Sequence, residues 1–228
     1  MHSARMISFA VALGAGMVVV GAADARAQET GEAPPRPTLE APAKTFEVKL
    51  ATGYTQGFGN LSPGRSIGNA AGAGLAISLD ADYRIDKYTS VGLETQYQQF
   101  ALENNNGSYG LTGTLGATYH ATPERRGDFW GRIGTGYRML WEVDPVTGFG
   151  TTNLYHGLTV ASVKLGYDFR TSSDIAIAPM VGADLQTFIW KDAERFGTPQ
   201  WGTFIYAGVQ GRFDAMPRST GAVVTARR

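Results

Sequence analysis

The sequence has no cysteine. That excludes a disulfide framework, any thiolate metal site and a cysteine-linked lipid anchor. An excess of one charge is also missing, since Lys plus Arg and Asp plus Glu number 20 each. A neutral chain gives no bulk electrostatic reason to bind nucleic acid, and none is expected as a partner. Histidine is scarce, at 3 residues. Long apolar runs are scarce too. Ile7 to Gly21 is one, but at about 15 residues it falls short of the ~20 that a membrane-crossing helix needs. With His2 and Arg5 before it and Ala25-Arg26-Ala27 after it, this run has the layout of a secretory signal cleaved before Gln28. Residues 1–27 are therefore expected to be a signal peptide. Residues 28–44, with Pro34, Pro35, Pro37 and Pro42, are expected to be an extended periplasmic linker.

What the chain does have is glycine, at 30 residues, together with 11% aromatics and a period of two. Phe46-Glu47-Val48-Lys49-Leu50 alternates greasy and charged positions, as do later segments up to Phe213. That is the side-chain period of a β-strand with one apolar and one polar face. Strands are expected near 46–57, 71–84, 89–100, 108–120, 129–143, 157–170, 175–190 and 201–213. They exceed the ~5–6 residues usual in soluble sheets and suit a tilted membrane strand of about 9–11. Connections alternate between brief ones, such as Ile85 to Tyr88, and longer polar ones at 58–70, 144–156 and 191–200. Short turns on one rim and long loops on the other are the layout of a membrane barrel.

The two faces separate cleanly. Aromatics gather at both ends of the apolar face: Phe46, Tyr83, Tyr119, Phe129, Tyr167, Phe169 and Phe213 toward the short turns, and Tyr54, Tyr97, Tyr109, Tyr137 and Trp141 toward the long loops. Such belts mark the two lipid headgroup levels. The polar face carries Glu47, Lys49, Asp80, Asp82, Arg84, Glu94, Arg132, Arg138, Glu142, Lys164, Asp168, Arg170, Asp184 and Arg212. Its signs balance, as a narrow lumen filled by paired side chains requires. Phe149, Tyr155, Phe196 and Trp201 fall in or beside the long loops, where they would either serve as exposed contacts or fold back on one another.

On these residues the chain resembles the small eight-stranded outer-membrane barrels of Gram-negative bacteria, like the outer membrane protein A transmembrane domain. Its last strand, Tyr206 to Phe213, is similar to the family's terminal signal, ending in an aromatic. The resemblance implies an all-β, antiparallel up-and-down transmembrane barrel over residues 45–213. Asp214 to Arg228 would then be a disordered periplasmic tail. It also implies outer-membrane lipid and lipopolysaccharide as surroundings, and barrel-assembly machinery that reads the final strand. Any extracellular ligand would dock at the long loops.

Chemistry is sparse. His120 is followed by Ala121-Thr122-Pro123, which lacks the Ser of the lipid A deacylases. His156 with Asp144 and Ser162 is the nearest triad candidate, for a lipid-modifying enzyme. No ligand spacing suggests a metal, and the glycine-rich stretches at 68–74 and 131–136 lack the Lys-Ser/Thr of a phosphate loop. The expectation is a non-enzymatic, cofactor-free outer-membrane protein. Its alternatives are a narrow channel gated by Arg132, Arg138, Glu94 and Glu142, the lipid-modifying enzyme, and a soluble periplasmic barrel whose apolar face lines a ligand pocket.

Overall fold

The computed structural model describes residues 41–103, 106–143, 151–172 and 174–215. The signal segment, linker residues 28–40, Asp144, Phe149 and tail residues 216–228 lie outside them. The strands are β1 (Thr45–Ser62), β2 (Arg65–Ser66), β3 (Ala73–Arg84), β4 (Thr89–Glu103), β5 (Asn106–His120), β6 (Gly127–Val143), β7 (Thr151–Arg170), β8 (Ile175–Lys191) and β9 (Glu194–Ala215). A single helical turn, α1 (Ile67–Ala70), sits between β2 and β3. Each long strand pairs antiparallel with the next. β9 returns to β1 along a ladder from Phe46↔Ala215 to Gly59↔Gly202, which closes an eight-stranded barrel. β2 pairs only with the end of β1.

The period of two decides which face goes where. Lys49 is 2% exposed, whereas its neighbour Leu50 is 53% exposed. Leu75 and Ile133, each 66% exposed, belong to a continuous outer coat of Leu, Ile and Val. A monomer does not present that much contiguous apolar surface to water, so the coat faces lipid. The soluble alternative required this face to line an interior pocket, and the structure turns it outward.

Several boundaries differ from the sequence expectation. Residues 191–200 are strand, not loop: β8 and β9 continue past the barrel rim and join through Asp192–Ala193. Water reaches both faces there, so Glu194 to Gln200 lost the alternation that marks a half-buried strand. β7 likewise begins at Thr151, inside the expected 144–156 loop. The loop at 58–70 is consumed by the end of β1, by β2 and by α1. At the other end, Asp214 and Ala215 continue β9 by pairing with Glu47 and Phe46, so the start of the expected tail is barrel wall.

The short-turn rim is braced by its own side chains. Asp86 Oδ1 accepts the Tyr88 and Thr89 N–H groups at 2.7 and 2.8 Å, which closes the β3–β4 turn. Glu124, in the β5–β6 turn, accepts from Lys87 Nζ and, at 3.0 Å, from the Tyr88 hydroxyl. Tyr88 also stacks on Tyr119 with centroids 6.4 Å apart. The Lys87 hydrogen bond holds the Glu124 carboxyl below its ordinary range, with Tyr88 assisting, and the same bond raises the Lys87 ammonium. The clamp is therefore complete above the ordinary carboxylate range and is lost as pH falls through the lowered Glu124 value. Lys87→Ala should return the Glu124 titration, followed by carboxyl NMR, upward toward an ordinary glutamate. An unchanged titration would contradict the clamp.

Candidate functional site

The inward face stacks into rings. At the short-turn end, Arg84 pairs with Glu47, Arg212 with Asp168, and Arg170 Nη1 with Asp214 Oδ2 at 2.8 Å. His120 Nδ1 lies 2.6 Å from Asp128 Oδ2 and 3.4 Å from Arg212 Nη1. One ring up, Asp82 takes Lys49 at 2.5 Å and Arg132 at 2.8 Å. Glu94 takes Lys164, with Arg132 Nε 3.6 Å away. Asp80, cross-strand from Lys49 and Glu94, is buried without an ion-pair partner among the described residues. The third ring centres on Arg138, whose guanidinium donates to Asp184 at 2.9 Å, to the Tyr206 hydroxyl at 2.6 Å and to Gln98 Oε1 at 2.8 Å. It stacks 3.8 Å over the Phe204 ring. Gln98 in turn donates to Thr55 Oγ1 at 3.2 Å.

Backbone spacing makes room for these arms. Trp130 sits directly cross-strand from Gly166, where an added Cβ would stand 2.4 Å from the indole. Lys164 is paired in the same way with Gly182. The long side chain lies flat over the glycine on the next strand, which lets a narrow lumen hold bulky groups.

Above the charged rings the lumen turns apolar. Leu61, Ile67, Ala70, Ala71, Phe100, Leu140, Tyr155, Phe188 and Phe204 form one buried cluster, with Phe196 packed against it. Its centre is α1, folded down into the long-loop mouth. Ser66 caps the turn, its Oγ accepting the Asn69 N–H at 3.3 Å. Gly57 donates its N–H to Gly72 O at 3.0 Å, and Ser108 Oγ donates to Ala70 O. A Cβ at Gly57 or Gly202 would stand 2.4 or 2.1 Å from the Ile67 side chain, so both glycines form the seat of that residue. Arg65 reaches across to Glu142 Oε1 at 2.5 Å, and Asn153 Nδ2 donates to Glu142 Oε2 at 3.0 Å. This segment is an apolar stopper.

Two expectations are corrected here. The 58–70 loop turns inward instead of facing out for recognition, because Leu61, Ile67 and Ala70 carry apolar surface that only the mouth can bury. Of the two alternatives for Tyr155, exposure fails: it is 2% exposed within the stopper, because β7 starts earlier and places it on the inward face. Phe196 is half-buried against the same cluster, and Trp201 stands exposed on β9. The expected gate residues also do not form one set. Arg132 and Glu94 share the middle ring, Arg138 bonds Asp184 instead, and Glu142 belongs to the rim.

The outer face carries the aromatic belts. Phe46 packs edge-on to Tyr83, and Tyr167 packs on Phe169. Tyr119, Phe129 and Phe213 stand exposed at the same rim. Toward the long loops, Tyr109 stacks on Trp141 at 5.2 Å. Tyr54 and Tyr97 each donate their hydroxyl at 2.6 Å to a glutamine two residues on, Gln56 and Gln99. These outward glutamines mark where the apolar coat gives way to polar surroundings. Sequence reading missed His156 and Trp190, which extend the belt. Trp190 stacks on His156 at 5.3 Å, His156 Nδ1 bonds the Tyr137 hydroxyl, and Nε2 bonds Asp192 O at 3.0 Å. It also missed Asp128, Trp130, Phe204, Tyr206 and Asp214 in the lumen. Phe204 and Tyr206 share the parity of Arg212 on β9, and that parity was the available signal.

No catalytic arrangement forms among the described residues. Ser162 is buried inside the lumen while His156 faces out with both ring nitrogens engaged, so the proposed triad does not come together. His120, Asp128 and Asp168 bring their ligand atoms within 4.8 Å of one another, but the Arg212 guanidinium already occupies the cation's place. Two variants test the packing. Asp82→Ala removes the nearest carboxylate from two buried cations, leaving Lys49 with Glu47 at 3.5 Å and Arg132 with Glu94 at 3.6 Å, and should lower stability to urea by roughly 3–5 kcal/mol. Gly202→Val should push Ile67 out of its seat at a cost of about 1–3 kcal/mol. Wild-type urea midpoints in both would contradict these contacts.

No protein-family model and no curated relative matches the sequence. Among solved structures, Neisserial surface protein A superposes with a TM-score of 0.54 at 11% identity, over 72% of this chain and 95% of that one. OprG from Pseudomonas aeruginosa gives 0.48 at 13% identity, over 78% and 100%. Ail of Yersinia pestis gives 0.43 at 13%, over 74% and 99%. At such identities the first of these establishes likeness of fold. The chain has the fold of the small eight-stranded outer-membrane β-barrels.

Proposed function

We propose that this chain is a non-enzymatic outer-membrane protein of a Gram-negative bacterium, exported by its N-terminal signal. In this reading it works as a sealed barrel whose wall anchors it and whose long-loop rim is its working surface. The observation that carries the reading is how completely the lumen side chains are buried at every level. Arg84, Arg138 and Ile67 mark the bottom, the third ring and the stopper, and each is 0% exposed. A conducting pore would leave its lining open to water. The void against the β1–β9 wall, beside Ser78, Gln96 and Met180, measures about 10 Å³, room for roughly one water.

The surroundings proposed for it follow from the same surfaces. The aliphatic coat takes acyl chains, and the Tyr109/Trp141 and His156/Trp190 pairs stand at the level of lipopolysaccharide headgroups. The final strand carries the assembly signal. The β6–β7 and β8–β9 hairpins, with Trp201 at the second, offer contact to an extracellular ligand.

Purified protein in planar bilayers should show no unitary conductance at neutral pH. Arg138→Ala leaves Asp184 buried without its cation and should lower stability by roughly 3–5 kcal/mol. It should still not conduct, because the stopper stays in place. Reproducible current steps from the wild type would overturn the sealed-barrel reading in favour of the narrow channel.

A further inference from the structure

The short-turn mouth poses a problem that the strands do not solve. Arg84, His120 and Arg170 lie near the last rungs of the ladder, cross-strand from Thr45, Trp130 and Ala176. Arg84 and His120 are nonetheless 0% exposed and Arg170 1%. The turns at this rim join neighbouring strands, and in one of them Pro123 is buried. Among the described residues, 41–44 cross the mouth.

The path is fixed at both ends. The Ala41 N–H donates to Pro123 O at 3.0 Å, in the β5–β6 turn, and Ala41 is only 4% exposed. Four residues later Thr45 begins β1. In the closed strand order, the β5–β6 turn lies across the barrel from β1. Four Cα steps reach about 14 Å, enough to span a narrow mouth. Lys44, at φ 55°, adopts the left-handed conformation that turns the chain from this crossing into β1.

We propose that residues 41–44 form a strap that closes the short-turn mouth and keeps the lower ion-pair ring out of water. The strap and the α1 stopper close opposite ends, so the inference stands independently of conductance at the other mouth. Proline at position 42 suits this role, since its fixed φ removes freedom that the crossing would otherwise lose.

The cysteine-free chain makes the test direct, because any introduced thiol is the only one present. Ser90 is inward, 0% exposed and cross-strand from Arg84. In the folded full-length protein, Ser90→Cys should react with a small water-soluble thiol reagent at least about tenfold slower than an exposed thiol. Adding Ala41→Trp, whose indole cannot occupy that contact, should lift the strap and restore fast reaction. Ala41→Gly should keep the protection. Separately, the pair Ala41→Cys and Pro123→Cys should form a disulfide in the folded barrel under mild oxidation, seen as a mobility change on reduction. Equal Ser90→Cys rates with and without Ala41→Trp would overturn the strap, provided both proteins show the heat-dependent gel shift of a folded barrel. If Ala41→Trp fails to fold, the crosslink decides, and its absence in a folded Cys pair would overturn the proposal.

Discussion

Eight strands make a barrel too narrow to keep water around its inward charges, and most of the remaining structure follows from that constraint. Each ion turned inward loses its hydration and must recover it from a neighbour. The rings do this by pairing one acid with two bases, as Asp82 does with Lys49 and Arg132, or by adding neutral donors, as Tyr206 does beside Arg138 and Asp184. The glycines opposite Trp130 and Lys164 belong to the same solution. The outward coat of Leu, Ile and Val is the other half of the alternation, since the strand period leaves no third face.

The lumen changes character from one mouth to the other. The short-turn end is charged through to its last rungs. The long-loop end is closed by apolar side chains from β1, α1 and six other strands. The chain supplies these closures from segments outside the eight long strands, or from strand extensions beyond the membrane. At the long-loop rim Trp190 pairs with Arg195 beside the β8–β9 turn, His156 stacks on it, and Trp201 stands exposed further along β9.

The barrel was legible in the sequence because period-two alternation survives wherever one face is lipid and the other is lumen. Each lumen charge read from that alternation, apart from rim-bound Glu142, points inward within the rings. Reading failed where the alternation has no physical cause. Glu194 to Gln200 is a strand with water on both sides, so nothing in its composition distinguished it from a loop. The 58–70 segment looked like a polar loop because its glycines and Pro63 hide a few buried residues, Leu61 and Ile67 above all. That Gly57 and Gly202 form a seat for Ile67 depends on residues far apart in the chain, and no local pattern records it. Tyr155 was misplaced for a related reason: β7 begins before it, and a bulge between Thr159 and Ala161 switches the parity of the inward residues.

The packed, charged lumen should exclude water, and the guanidinium groups report on that without any mutation. Hydrogen exchange at the arginine Nε–H groups, followed by NMR on the folded barrel in micelles, tests it most directly. Arg84, Arg132, Arg138, Arg170 and Arg212 should exchange far more slowly than the exposed Arg125. Exchange of the lumen groups at the rate of Arg125 would mean that water moves through the interior, and the account of a sealed barrel would fail.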